Sequence, residues 1–258
     1  MQAQKGYAAK NGNSQEPCYL STTMDKVELL KRQAGIAACT YVNSGMKVGL
    51  GTGSTVKYTV LELGRMIAEE GMEIVGVPTS LATQKLVNEV GIPLAELSDC
   101  THLDIVIDGA DEFDPEFNLI KGGGAALLRE KIVAQESKAM VVVADQRKQV
   151  DALGAFPLPI EITPFSFEAT IRQLSRLLDC RVNCRMSGDN PVITDNGNYI
   201  ADAHCGPTLT NPNQTEIEVL KIAGVVQVGL FNEMCDAVIL ANNSGVELLV
   251  NPKGRLVE

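Results

Sequence analysis

Positive charge is scarce in this chain. Only 22 Lys and Arg stand against 32 Asp and Glu in 258 residues, a formal net charge of -10. So acidic a chain has no global field to hold DNA, RNA or an anionic membrane surface, whereas a small anion can still be held by a few local cations and backbone amides. Long apolar runs are missing too, with none near the roughly 20 residues that a membrane-spanning helix needs. Met1 to Leu20 has neither the apolar centre of a secretory signal nor the Arg-rich pattern of a transit peptide. The seven cysteines are odd in number and scattered, without a CxxC pair. Reduced thiols without a disulfide framework are expected, and Cys180, Cys184, His204 and Cys205 lack a familiar zinc spacing. These absences leave a soluble, cytoplasmic protein with a small-molecule partner.

What is present is an alternation of periods. After residues 1–21, a polar stretch read as a disordered leader, Thr22 or Thr23 is placed to cap a helix whose Val27, Leu30, Ala34, Ala37 and Tyr41 form one apolar stripe. Strand-like segments at 46–50, 73–77, 103–107 and 139–144 alternate with helical patterns at 56–67, 81–90 and 125–135. That order predicts an α/β fold, a parallel sheet with helices on both faces and a ligand site at the carboxyl ends of the strands. After Leu153-Gly154 the pattern changes. A strand-like 156–164, a helix at 166–178, a hairpin turning at Asn196-Gly197, a helix near 215–222 and a strand at 225–230 predict a smaller α+β unit. Segments 237–240 and 247–250 are expected to return to the first sheet.

Three polar segments fall at the predicted strand ends. Gly49-Leu50-Gly51-Thr52-Gly53-Ser54-Thr55 joins a strand to a helix, where glycine amides, the helix dipole and the Thr52, Ser54 and Thr55 hydroxyls suit a phosphate. A plain tight turn with Ser54 as N-cap is the alternative. The segment matches neither GxGxxG nor a P-loop, and the next strand ends in Pro78-Thr79-Ser80 rather than an acidic residue, which favours a monophosphate over NAD or ATP. Asp108-Gly109-Ala110-Asp111-Glu112 suits sugar hydroxyls, a solvated acidic turn or a Mg²⁺ ion, and mutual repulsion can raise one of its carboxyl pKa values. Lys121-Gly122-Gly123-Gly124 opens the predicted helix that holds Glu130, about 10 Å along the axis from Gly123. Glu130 is then either a free base over small residues or an exposed acid between Arg129 and Lys131.

With GLGTGST (49–55), DGADE (108–112), KGGGAALLREK (121–131) and ADQRKQVDALG (144–154) in order, the sequence resembles the type A ribose-5-phosphate isomerases. The resemblance implies a Rossmann-like mostly parallel sheet (22–153 and 231–258) and a smaller ferredoxin-like α+β domain (154–230). It implies aldose–ketose isomerisation of a sugar phosphate without cofactor or metal, in a homodimer or homotetramer. It also implies roles: Glu130 as the base, Asp108 in ring opening, and Asp108 and Asp111 holding hydroxyls beside Gly109 and Ala110. Lys121 and the amides of Gly122, Gly123 and Gly124 would face the substrate's oxygens. Thr52, Gly53, Ser54 and Thr55 would form the cradle, and Lys31 and Lys148 would contribute further contacts. A non-catalytic sugar-phosphate sensor, an amino-sugar phosphate deaminase and a CoA transferase are the rival readings.

Overall fold

The computed structural model describes residues 25–256; the leader and the cap expected at Thr22 or Thr23 lie outside them. The chain runs through α1 (Lys26–Ala37), β1 (Lys47–Leu50), α2 (Val56–Glu70), β2 (Val75–Pro78), α3 (Leu81–Glu89) and β3 (Ile105–Gly109). Two short strands, β4 (Glu112–Phe113) and β5 (Leu119–Ile120), precede α4 (Leu127–Gln135) and β6 (Met140–Asp145). Then come β7 (Leu158–Ile162), α5 (Phe167–Leu178), β8 (Arg181–Cys184), β9 (Met186–Ser187), β10 (Asn190–Pro191) and β11 (Tyr199–His204). The chain continues through α6 (Pro212–Leu220), β12 (Val225–Val228), β13 (Leu230–Phe231), β14 (Ala237–Asn242) and β15 (Gly245–Val250).

The main sheet has the order β15-β14-β6-β3-β1-β2, parallel except for the β14–β15 hairpin. Successive strand residues point to opposite faces, and the burial follows that alternation. Val48, Ile105, Ile107, Val141, Val143 and Ile239 pack with Leu30 and Ala34 of α1 and Val60 and Leu63 of α2. Val106, Met140, Val142 and Val238 face the other way, onto Val133 and Ala134 of α4. Helices therefore cover both faces, as the alternating pattern predicted. From β1 the chain goes to β2 on one side and then to β3 on the other, so the order reverses at β1/β3. At such a switch point the loops leaving adjacent strands diverge and open a crevice.

The second sheet, β12-β7-β11-β8, is antiparallel throughout, with α5 and α6 packed on it. The succession β7-α5-β8-β11-α6-β12 in that spatial order is the ferredoxin-like arrangement. Its apolar core gathers Leu158, Ile160, Ile162, Leu174, Val182, Ala201 and Val228. β13 pairs with β5, which pairs with β4, tying the return from the second sheet to the segment beside β3. Gly71 ends α2 in the left-handed region at φ 72°, as a C-terminal glycine does. The helix expected from residue 125 begins two residues later, because Ala125 takes φ 59° and breaks the helical path. The described cysteines are free thiols, with the Cys180 and Cys205 sulfurs 3.4 Å apart.

Candidate active site

The cradle grows from the end of β1. Gly51 donates its N–H to Ile107 O (2.9 Å), which brings the turn against the end of β3. A Cβ at residue 51 would lie 2.1 Å from Asp108 Oδ1, so only glycine lets the Asp108 side chain pass. Thr52 N then donates to Asp108 Oδ1 (3.1 Å). The Thr52 hydroxyl does not point freely at a ligand, as the sequence suggested. It lies in a hydroxyl cluster with Thr79 (2.8 Å), Ser80 (2.8 Å) and Thr83 (3.2 Å), and Thr83 in turn donates to Gly51 O. These three residues stiffen the cradle from behind; the sequence offered Thr79 and Ser80 only as a strand end without an acid and did not single out Thr83. Ser54 is not the helix cap: Thr55 holds that position, without a side-chain cap bond. Gly53 and Ser54 are exposed, and the first turn of α2 supplies the partial positive charge of its amides.

Beneath the cradle lies a buried charged cluster. Lys121, 2% exposed, reaches Asp108 Oδ2 at 3.0 Å and Glu130 Oε2 at 3.3 Å. It donates a hydrogen bond to Gly109 O at 2.6 Å. Asp108 Oδ2 and Glu130 Oε2 lie within ion-pair reach of the ammonium but have no hydrogen-bond geometry to any described residue. Burial pushes the Glu130 carboxyl up to about 8, the Asp108 charge adds to the rise, and Lys121 opposes it. Asp108 is also raised, by its burial rather than by repulsion within the acidic segment, against the pull of Lys121 and the Gly109 and Thr52 amides. For Lys121, burial lowers the pKa, but the Asp108 and Glu130 charges outweigh it and the net shift is upward. Phe231 backs the cluster, its ring centroid 5.3 Å from Lys121 Nζ and 5.0 Å from Lys131 Nζ.

Glu130 is therefore neither exposed nor on a polar face. Its neighbour Lys131 is buried against Phe231, paired with Glu216 (2.6 Å) and Gln227 (3.0 Å). Glu112 is drawn away from the site, accepting from Gly154 N (2.8 Å) and Phe156 N (2.5 Å). The acidic segment thus supplies Asp108 and Asp111 to the site and spends Glu112 on the fold. The Mg²⁺ alternative fits poorly, since an ammonium already sits between the two buried carboxylates and Glu112 faces elsewhere.

A cavity of about 310 Å³ joins these parts. Its walls include Lys31, Thr52, Gly53, Ser54, Thr55, Gly109, Ala110, Asp111, Lys121, Gly122, Gly123, Gly124, Glu130 and Lys148. Every residue to which the resemblance assigns a site role is thereby brought together, except that Asp108 lies under the wall rather than in it. Val56 and Arg147 also line the cavity and were not anticipated. Arg147 stands beside Lys148 just after β6 and is tied to Asp145 (2.7 and 3.0 Å); two adjacent cations at a strand's carboxyl end were the available signal.

An open α/β sheet with cations and free amides at its switch point, over a buried carboxylate–ammonium–carboxylate cluster, defines an enzyme that holds a small anion and moves a proton on it. The sequence pattern of ribose 5-phosphate isomerase A (phosphoriboisomerase A) matches residues 75–245. A ribose-5-phosphate isomerase A from Cereibacter sphaeroides is 46% identical over 225 residues, 85% of this chain and 90% of that protein. A D-ribose-5-phosphate isomerase solved in complex with phospho-erythronic acid superposes with TM-score 0.84 at 42% identity, covering 87% of this chain and 99% of its own. The Plasmodium falciparum ribose 5-phosphate isomerase superposes with TM-score 0.85 at 35% identity, over 87% of this chain and 99% of its own. This chain belongs to the ribose 5-phosphate isomerase A family.

Proposed function

We propose that this protein interconverts D-ribose 5-phosphate and D-ribulose 5-phosphate, with the Glu130 carboxylate carrying a proton between C2 and C1. The observation that carries the reading is the position of Glu130: 4% exposed, at the wall of the cavity, with Lys121 Nζ 3.3 Å from its Oε2. In the open-chain aldose, Glu130 removes the C2 proton while charge moves onto the carbonyl oxygen at C1, giving an enediolate. A hydroxyl proton then moves from the C2 oxygen to the C1 oxygen, and returning the carbon-bound proton to C1, with the C2 oxygen becoming a carbonyl, completes the ketose. A carbon acid beside a carbonyl yields its proton to a carboxylate only where the developing oxyanion is stabilised. On this reading Lys121 and the Gly122–Gly124 loop stabilise that charge, and Asp111 and Asp108 serve the hydroxyls and ring opening. Lys31, Lys148 and the cradle 52–55 supply positive potential for the phosphate. A relative holding phospho-erythronic acid, whose carboxylate resembles an enediolate in charge, supports the same chemistry.

We further propose a homodimer or homotetramer acting in the cytoplasm. Among the described residues no helix is long and apolar enough to cross a membrane. Light scattering on the purified chain reports the assembly, and a monomer at working concentration contradicts it. The activity is tested by incubating the protein with ribose 5-phosphate and EDTA in D₂O. Ribulose 5-phosphate should form with deuterium on carbon, and absence of turnover overturns the reading.

A further inference from the structure

Arg185, which follows β8 in the ferredoxin-like sheet, reaches into the glycine loop of the active site. Its Nη1 donates to Gly122 O (2.9 Å) and Gly123 O (3.0 Å), while Nε and Nη2 grip the two oxygens of Asp202 on β11. Arg185 is itself fixed to the sheet by its N–H to Ile200 O (2.7 Å). A trans peptide is planar with its C=O and N–H pointing opposite ways. Pinning the carbonyls of Gly122 and Gly123 from the small-sheet side therefore aims the N–H groups of Gly123 and Gly124 away from Arg185. Gly123 N donates to Asp111 Oδ2 (2.7 Å), and Gly124 lines the cavity. The loop does not hold this shape cheaply, since Ala125, which is not a glycine, sits at φ 59°. Such backbone persists where surrounding contacts over-determine it. A lysine has no planar fork able to serve two carbonyls and a carboxylate at once.

We propose that Arg185, oriented by Asp202, is a positioning residue that, through the Gly122 and Gly123 carbonyls, keeps the Gly123 amide on Asp111 and aims the Gly124 amide at the substrate oxygen that becomes negative in the enediolate. The inference rests on the isomerase reading above. Because that charge develops during the reaction, losing the aim lowers kcat and spares substrate binding.

The test compares wild type, Arg185→Ala, Arg185→Lys and Asp202→Asn for kcat, KM and the inhibition constant of 4-phospho-D-erythronate. The expected fall in kcat is about 100-fold for Arg185→Ala, the scale of one misaligned oxyanion donor, with KM changed by less than about threefold. Inhibitor affinity should fall in parallel with kcat. Millimolar guanidinium chloride should restore part of the lost kcat in Arg185→Ala, and lysine at that position should not. Asp202→Asn, which keeps the side-chain volume, should show the same pattern more weakly and carries the test if Arg185→Ala does not fold. Unchanged kcat, a loss confined to KM, or a loss that guanidinium does not relieve overturns the role of Arg185. Wild type inactive on ribose 5-phosphate instead sinks the isomerase reading and leaves the loop geometry untouched.

Discussion

Glu130, Asp108 and Lys121 work as one titrating unit, because one buried ammonium lies within 3.3 Å of both carboxylates. A base acts only when ionised, and burial holds the Glu130 pKa near 8. The sign follows: below that region Glu130 is protonated, so kcat/KM should fall as pH drops, with the apparent midpoint belonging to the cluster. Two substitutions should move this acidic limb in opposite directions. Lys121→Met removes the cation that favours the carboxylate, shifting the limb to higher pH and lowering kcat by about 100-fold or more. Asp108→Asn removes the negative neighbour and shifts it to lower pH. Limbs that stay put in both variants contradict the coupling. The sequence pointed to these three residues through their motifs, but their contact was not legible, since Lys121 and Glu130 meet only because the glycine loop folds back between them. Taken alone, the Arg129-Glu130-Lys131 run read more readily as a solvated face, and the burial of Glu130 and of Lys131, against Phe231 and paired with Glu216, shows otherwise.

The cradle between β1 and α2 depends on a close approach rather than on glycine flexibility alone. A methyl at Gly51 meets Asp108 Oδ1 at 2.1 Å and Asp108 Cα at 2.6 Å, so rotating the side chain cannot relieve the clash. Gly51→Ala should cost about 3 kcal/mol in urea unfolding, at the upper end of ordinary overpacking, and displace the cradle enough to impair turnover. Near wild-type stability would show that β1 and β3 separate more easily than their pairing implies. The strand–turn–helix element was legible from its glycines and apolar period. Two details were not: the cap falls on Thr55, and the Thr52 hydroxyl is taken by Thr79, Ser80 and Thr83. The second depends on residues about thirty positions away arriving at the same place. The start of α4 at Leu127 was missed for a local reason, the left-handed Ala125, which alanine's helix propensity conceals.

At the scale of the whole molecule, a parallel sheet supplies the chemistry and an antiparallel one braces it. Buried Glu161 on β7 accepts from Thr194 (3.0 Å), Asn196 (3.2 Å) and Asn198 (2.8 Å), holding the hairpin loop in shape. That loop grips Arg129, next to the proposed base Glu130, through Asn196 Oδ1 (2.9 Å) and Asp195 O (2.8 Å). Glu161→Leu strands those donors and should cost about 3 kcal/mol, measured by chemical unfolding; a neutral result would mean water replaces the carboxylate freely. The change of pattern after Gly154 and the Asn196-Gly197 turn were readable. The strand order β12-β7-β11-β8 was not readable from local pattern and came only with the ferredoxin-like expectation of the resemblance, because the pairing of β7 with β12, more than sixty residues apart, is set by packing and not by local period.

The central claim is that one carboxylate, on Glu130, carries the proton between adjacent carbons, and solvent deuterium exchange tests it most directly. Wild type and Glu130→Gln are each incubated with ribose 5-phosphate in D₂O while binding is measured separately. Wild type should place deuterium on carbon, whereas Glu130→Gln should bind the sugar phosphate with similar affinity and exchange it at least about 1,000-fold more slowly. Exchange in Glu130→Gln at close to the wild-type rate would contradict the account.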